Sequence, residues 1–179
     1  NLSGCDLSNM DLSKTTMKDT NLSNCKFTNT KLPIDLFSTN LSGCDLSNKN
    51  LSNHRFVCED YYSMRTILTN CKLNNTDLPK DSRNCNFSGS KISNIDLSSA
   101  NLYSTDLSKC HLENVKLPNL QKTNLSECIL SNMDLSEIIM EYTNLSKSTF
   151  TNTILPKRFC NCNLRETDFS ETDLSSTST

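Results

Sequence analysis

Asn1-Leu2-Ser3-Gly4-Cys5, Asp6-Leu7-Ser8-Asn9-Met10, Asp11-Leu12-Ser13-Lys14-Thr15: the chain opens on a five-residue beat, and that beat decides the fold. A leucine-like residue recurs at Leu2, Leu7, Leu12, Met17, Leu22, Phe27 and Leu32. It mostly follows Asn, Asp or Lys and usually precedes Ser or Thr. A small or sulfur-bearing residue such as Cys5, Thr20, Cys25 or Thr30 stands two positions before it. A period of five matches neither the 3.6 of a helix nor the 2.0 of a flat strand. It suits a chain that turns a corner every five residues and returns above itself.

A longer period of about twenty residues lies over the short one, and repeats of that length mark a solenoid. Its clearest trace is an asparagine two positions after an apolar centre, at Asn9, Asn29, Asn48, Asn75, Asn94, Asn114, Asn132 and Asn152. With four pentapeptides to a turn, the apolar centres fall into four columns. The first runs Leu2, Leu22, Leu41, Leu68, Phe87, Leu107, Leu125, Leu145, Leu164. The second runs Leu7, Phe27, Leu46, Leu73, Ile92, Leu112, Leu130, Phe150, Phe169. The third is leucine throughout, from Leu12 to Leu174, and the fourth is looser. After each third-column leucine comes Ser13, Pro33, Ser52, Pro79, Ser98, Pro118, Ser136, Pro156, Ser175. The Ser/Pro alternation makes the full repeat two turns, and the five-residue register slips after every Leu-Pro.

This pattern resembles the pentapeptide-repeat family, whose consensus is roughly Ala-(Asp/Asn)-Leu-X-X, over nearly the whole chain. The resemblance implies an all-β fold, a right-handed quadrilateral parallel β-helix, here of about nine turns of four pentapeptides. The central residue and the small residue two before it would point inward. Cys, Thr and Ser stand here where the family most often has Ala. The expected organisation is a β-helix over 1–175 with a corner-loop insertion at 57–65, then a polar tail at 176–179.

Length and composition fit a solenoid. Only 35% of the 179 residues are hydrophobic. Four apolar side chains per turn supply roughly 8 kcal/mol at about 2 each, against about 20–40 kcal/mol to order some twenty residues. A lone turn cannot fold; stacked turns bury one another's ends. The formal net charge of −2 with mixed signs argues against a basic nucleic-acid binder. No apolar run of about twenty residues suggests a membrane span. The chain begins at Asn1, mid-repeat, so a leader or cap could precede it.

Ten cysteines suggest a disulfide framework at first sight. The register places Cys5, Cys25, Cys44, Cys71, Cys110 and Cys128 in one inward column, with Ser90, Ser148 and Thr167 in its gaps. Cys85 and Cys162 are inward in a neighbouring column; Cys58 and Cys160 lie outside these slots. Free thiols packed as small hydrophobes, in a reducing compartment, are the expectation, and the location expected is cytoplasmic. Disulfides between stacked turns are the competing reading, and a metal site at Cys160-Asn161-Cys162 lacks the further ligands it would need. The asparagine column reads as a structural ladder at a corner, since Asn tolerates left-handed backbone. Asn-Leu-Ser at 1, 21, 40, 50, 124 and 144, and Asn-Phe-Ser at 86, match a glycosylation sequon but are also the repeat itself.

Catalysis has little to stand on. His54 and His111 lie in different columns, there is no Gly-rich phosphate loop, and no convergent polar constellation shows in the register. No catalytic residue, metal or cofactor is expected. One segment breaks the beat: from Phe56 to Leu68 is a step of twelve residues where the register expects a step of five. Glu59, Asp60, Tyr61, Tyr62 and Arg65 are the candidate partner contacts, because aromatics and Arg anchor interfaces and function gathers in loops on rigid scaffolds. The reading is a non-catalytic scaffold for an unidentified protein partner, without direct nucleic-acid or membrane binding, monomeric or weakly dimeric end to end. The alternative, implied by the family resemblance, is a DNA mimic that binds DNA gyrase or topoisomerase IV and protects against quinolones. Against it stand Asp6, Lys26, Asp45, Lys72, Lys91 and His111, a mixed-sign column where a phosphate mimic needs acids. The C-terminal Asp173-Leu174-Ser175-Ser176-Thr177-Ser178-Thr179 also lacks the apolar cap by which such proteins dimerise.

Overall fold

The computed structural model describes residues 1–57 and 65–173. Cys58, Glu59, Asp60, Tyr61, Tyr62 and the residues from Leu174 onward lie outside the described residues. The chain is an all-β parallel solenoid. Its first face is bridged without interruption from Asn21 through Asn40, Ile67, Asn86, Asp106, Asn124 and Asn144 to Asn163. Leu2 adds the lowest rung by donating its N–H to the Asn21 carbonyl at 2.8 Å. The second face carries the longer strands: β1 (Lys72–Asn74), β2 (Lys91–Asp96), β3 (His111–Lys116), β5 (Ile129–Ser131), β7 (Thr149–Thr151) and β9 (Asp168–Glu171), stacked in that order. On the fourth face β4 (Leu120–Gln121), β6 (Met140–Glu141) and β8 (Phe159–Cys160) form a second parallel stack. The fold expected from the repeat is the fold observed.

The register explains the core. Leu22, Leu41, Leu68, Leu125 and Leu145 of the first column and Leu46, Leu73, Leu112 and Leu130 of the second have no exposed surface. Each such side chain contributes about 1.5–3 kcal/mol of burial. At the upper end Phe150 stacks on Phe169 with centroids 5.1 Å apart, and Phe159 tilts against the same ring at 6.0 Å.

Corners are made by three residues acting together. The Asn or Asp before each centre accepts a hydrogen bond from the N–H of the residue after it: Ser8 to Asp6, Ser23 to Asn21, Ser98 to Asp96, Ser146 to Asn144. The residue after that takes a left-handed backbone, as at Asn24 (φ 56), Asn94 (φ 55) and Gly43 (φ 72). Asn, Asp and Gly tolerate that region and most L residues do not. The Asn-Leu-Ser triplets are therefore turns in which the asparagine carboxamide holds the serine N–H.

The Ser/Pro alternation has a physical basis in the same device. In the Ser turns, Asp11, Asn50, Asp96 and Asp134 cap Ser13, Ser52, Ser98 and Ser136. Proline has no N–H to be capped, and the equivalent position in the Pro turns becomes Lys31, Asp77, Lys116 and Ile154. Each Ser turn bridges to the Pro turn above it on the third face: Asp11 to Lys31, Asn50 to Asp77, Asp96 to Lys116, Asp134 to Ile154. Among the described residues no third-face bridge joins a Pro turn to the Ser turn above. Those junctions close on the fourth face instead, through Asp35 to Arg55, Asp81 to Asn101, and Leu120 to Met140. On the third face the joints are thus staggered, while the fourth face also closes from the Ser turn at Met140 to the Pro turn at Phe159.

Candidate functional site

Of the five loop residues proposed as partner contacts, Arg65 alone lies among the described residues, and it is exposed. Val57, at the other foot of the segment, is half-buried and packs against the core. The described residues that flank the segment are anchored, by Val57 on one side and, past Arg65, by Thr66 on the other. That residue is fully buried and its hydroxyl donates to the carbonyls of Phe56 and Leu36.

All the described cysteines are free thiols. Cys25, Cys44, Cys71, Cys110 and Cys128 are buried, and each thiol donates to the carbonyl of a first-column centre one turn below: Leu2, Leu22, Leu41, Phe87 and Leu107, at 2.8–3.2 Å. Cys5 departs from the column reading: it is only half-buried, because no described turn lies beneath it. Ser90, Ser148 and Thr167 make the same bond to Leu68, Leu125 and Leu145. A small inward donor is what the slot requires, which is why Cys, Ser and Thr interchange there. Burial pushes the Cys44 thiol up to about 11 and the Cys71 and Cys110 thiols up to about 12. It raises Cys85 and Cys128 further still. Such thiols are protonated and unreactive at neutral pH.

The asparagines at the second corner all have left-handed backbones. Their carboxamides bond in pairs: Asn29 donates to Asn9, Asn75 to Asn48, Asn114 to Asn94 and Asn152 to Asn132, at 2.7–3.1 Å. Each pair joins a Ser turn to the Pro turn above it, the same junction that the third face closes. Outward charges also pair between successive turns. Asp6 meets Lys26 at 3.9 Å, Asp11 meets Lys31 at 3.2 Å, Asp45 meets Lys72 at 3.6 Å, and Asp96 meets Lys116 at 3.3 Å. Arg55 pairs with Asp35, and Lys157 with Glu137 at 2.9 Å. These pairs are exposed and individually worth little, but they leave no acidic stripe on the described part of the rod.

Two residues occupy inward slots that their chemistry does not suit. His54 has both ring nitrogens covered and neither makes a well-formed hydrogen bond. Burial lowers its pKa, opposed by the backbone groups of Leu51 and Leu32, so the ring is neutral at pH 7. Lys49 stands where other Ser turns place the buried Ile95 and Met133. Its ammonium donates to the Phe27 carbonyl at 2.7 Å, and burial lowers its pKa against the opposing pull of Asp45. Beside it opens a cleft of about 570 Å³ lined by Asn24, Phe27, Asn29, Asp45, Asn48 and Lys49 among others. Reading by columns identified the loop and the thiols and passed over this cleft. The available signal was Lys49 itself, a charged residue in a column of Thr, Ile, Val and Met.

Among the described residues no group of three or more His, Cys, Asp or Glu is placed to hold a metal ion. Among the described residues no helix is long and apolar enough to cross a membrane. A family model described as pentapeptide repeats matches eight copies in the chain, over residues 1–32, 83–117, 119–155 and 158–178. The chain belongs to the pentapeptide-repeat family. The unmatched stretch, 33–82, contains the loop segment, Lys49 and His54. Solved pentapeptide-repeat structures resemble it at low identity. A trypsin-treated variant of QnrB1, a plasmid-mediated fluoroquinolone resistance protein, is 16% identical, with a TM-score of 0.43 over 91% of this chain and 90% of that one. Rfr23 from the cyanobacterium Cyanothece 51142 is 22% identical, with a TM-score of 0.48 over 65% of this chain and 90% of its own. HetL from Nostoc sp. strain PCC 7120, involved in heterocyst differentiation regulation, is 18% identical, with a TM-score of 0.30 over 97% and 86%. Likeness at this level carries no role across to this pentapeptide-repeat protein. No curated protein matches it significantly.

Proposed function

We propose that this repeat scaffold is non-catalytic and acts by holding a protein partner against its side. One observation carries the reading: nearly every group that could do chemistry already has a structural task. The inward thiols and hydroxyls bond to carbonyls of the turn below, the Asx carboxyl and carboxamide groups hold turn N–H groups, and charges on successive turns pair along the axis. What the rod offers is a surface, with the repeat broken in sequence between Val57 and Thr66 and a cleft open at Lys49. The paired charges favour a general protein-binding scaffold over a mimic of the DNA backbone.

Chemical cross-linking in the native cell tests this. A partner should be captured by the folded chain and lost when residues 57–65 are shortened to a five-residue link or when the cleft is filled by Lys49→Met. Capture that is unchanged by both alterations would refute the assignment of binding to these two features. Inhibition of DNA gyrase supercoiling by the purified chain would favour the DNA-mimic reading instead.

A further inference from the structure

The second face is closed by a backbone ladder at the first junction and again at the third, but it is open at the second. Below, Leu7 N–H donates to the Lys26 carbonyl at 3.0 Å and Lys26 N–H to the Cys5 carbonyl at 3.1 Å. Above, Leu46 N–H donates to the Lys72 carbonyl at 2.9 Å and Lys72 N–H to the Cys44 carbonyl at 3.1 Å. Between those turns no bridge joins Lys26 to Asp45, and the N–H groups of Phe27, Asn29 and Asp45 enter no ladder bond. The last ladder bond before the gap runs from Asn24 N–H to the Ser42 carbonyl at 2.7 Å, on the first face. At the next junction of the same type the second face is closed, with Leu73 opposite Ile92.

Lys49 accounts for the difference. The third face is open at every junction from a Pro turn to a Ser turn, and at the later ones Ile95 and Met133 plug the opening with buried apolar side chains. Lys49 cannot, because its ammonium needs hydrogen-bond partners. It takes one from Phe27 and leaves the two second-face strands apart.

Two facing strand edges with unpaired N–H and C=O groups match the main chain of an extended peptide, which binds by completing such edges. The charges choose its side chains. Among the described residues the hydrogen bond of the Lys49 ammonium goes to a neutral carbonyl; Lys26, which meets Asp6 at 3.9 Å, lies on the wall; and the one lining carboxylate among them, Asp45, pairs with Lys72 on the next turn. We propose that the cleft between the second and third turns binds a short extended segment of a partner protein, with an acidic side chain directed at Lys49. The inference rests on the scaffold reading and gives it a partner chemistry.

The test is titration of the full ¹⁵N-labelled chain with acetyl-Val-Glu-Val-Glu-Val-amide, followed by NMR and hydrogen exchange. The amide signals of Phe27, Asn29 and Asp45 should shift saturably, and their exchange should slow at least tenfold. The same peptide with Lys in place of Glu should leave them unchanged. Lys49→Met should weaken binding at least tenfold while raising the melting temperature, and Lys26→Gln should weaken it severalfold at unchanged melting temperature. Absence of saturable shifts at millimolar peptide would overturn the proposal. So would equal binding by Lys49→Met, or amides of Phe27 and Asn29 in the free chain as protected as that of Leu46. A partner still cross-linked to the native chain after such a result would leave the scaffold reading standing and remove only the cleft.

Discussion

Raising the pH from 8 to 10 should strip this rod of a large part of its stability, through four thiols that cannot ionise where they sit. Cys71, Cys85, Cys110 and Cys128 are each 1% exposed. Burial lifts Cys71 and Cys110 to about 12 from an ordinary 9.0, and Cys85 and Cys128 move in the same direction. The folded pKa is above the unfolded one, so their stabilisation is complete below pH 9 and is lost as pH rises from there toward the folded values. In that window the unfolded chain releases protons that the folded chain keeps, and stability falls by about 1.4 kcal/mol per thiol per pH unit. At pH 10 each thiol costs about 1.4 kcal/mol, and the four together cost about 5 kcal/mol. That is comparable to the whole stability of many domains, about 5–15 kcal/mol. With a urea m-value of about 2 kcal/mol/M, the unfolding midpoint should drop by about 2–3 M between pH 8 and 10. The measurement is urea denaturation followed by circular dichroism under a phosphine reductant. The control replaces the thiols by the residues the same slots hold elsewhere: Cys71→Ser, Cys110→Ser and Cys128→Ser after Ser90 and Ser148, and Cys85→Thr after Thr105. The fourfold variant should keep its midpoint across that range to within about 1 M. Equal alkaline losses in both proteins would refute the argument, because the loss would then come from other groups.

The remaining expectations concern the corners. Asp11 is held down to about 2 by the Ser13 hydroxyl, the Ser13 N–H and then Lys31; its contribution is present above about pH 4 and lost as pH falls through about 2. A carboxyl NMR titration should show that low midpoint, and a midpoint near 4 would contradict the cap. Gly4→Ala should cost about 1 kcal/mol for left-handed strain alone, since an added Cβ there meets nothing. Gly43→Ala should cost about 1–3 kcal/mol more, because its Cβ would run into Asn24 Oδ1; thermal melts giving equal losses would show that Asn24 yields freely. Tyr142 is an exposed aromatic in the left-handed region (φ 51), and Tyr142→Asn should stabilise by about 1 kcal/mol; a loss in the same melt would reveal a contact that holds the ring.

Much of the architecture was legible in the sequence, for a physical reason. In a solenoid every turn repeats the same packing problem, so the answer is written many times and one noisy copy does little harm. The leucine columns and the interchange of Cys with Ser and Thr could be read directly, and the buried thiols follow from them. The Ser/Pro alternation was visible as a pattern, but its meaning was not. It takes the backbone to show that the Pro turns lack the N–H that Asp11 and Asp96 hold in the Ser turns, and that the third face opens above them. The pairing of the asparagines two by two was hidden for the same reason, since spacing alone suggests an even ladder. Lys49 was overlooked because reading by columns averages over the residue that breaks one. His54 was noticed, but its covered ring nitrogens depend on neighbours a turn away.

The staggered joints have a consequence for how such a chain can lengthen or shorten. Removing one turn sets two Ser turns or two Pro turns in contact. One face then has no edge to meet, and an Asn pair and an Asp–Lys pair lose their mates. Removing a Ser turn together with the Pro turn above it, such as residues 86–123, restores every joint. The unit of duplication or loss is therefore the couple of turns. A library of internal deletions should recover folded rods in steps of about 39 residues, with the intermediate lengths missing.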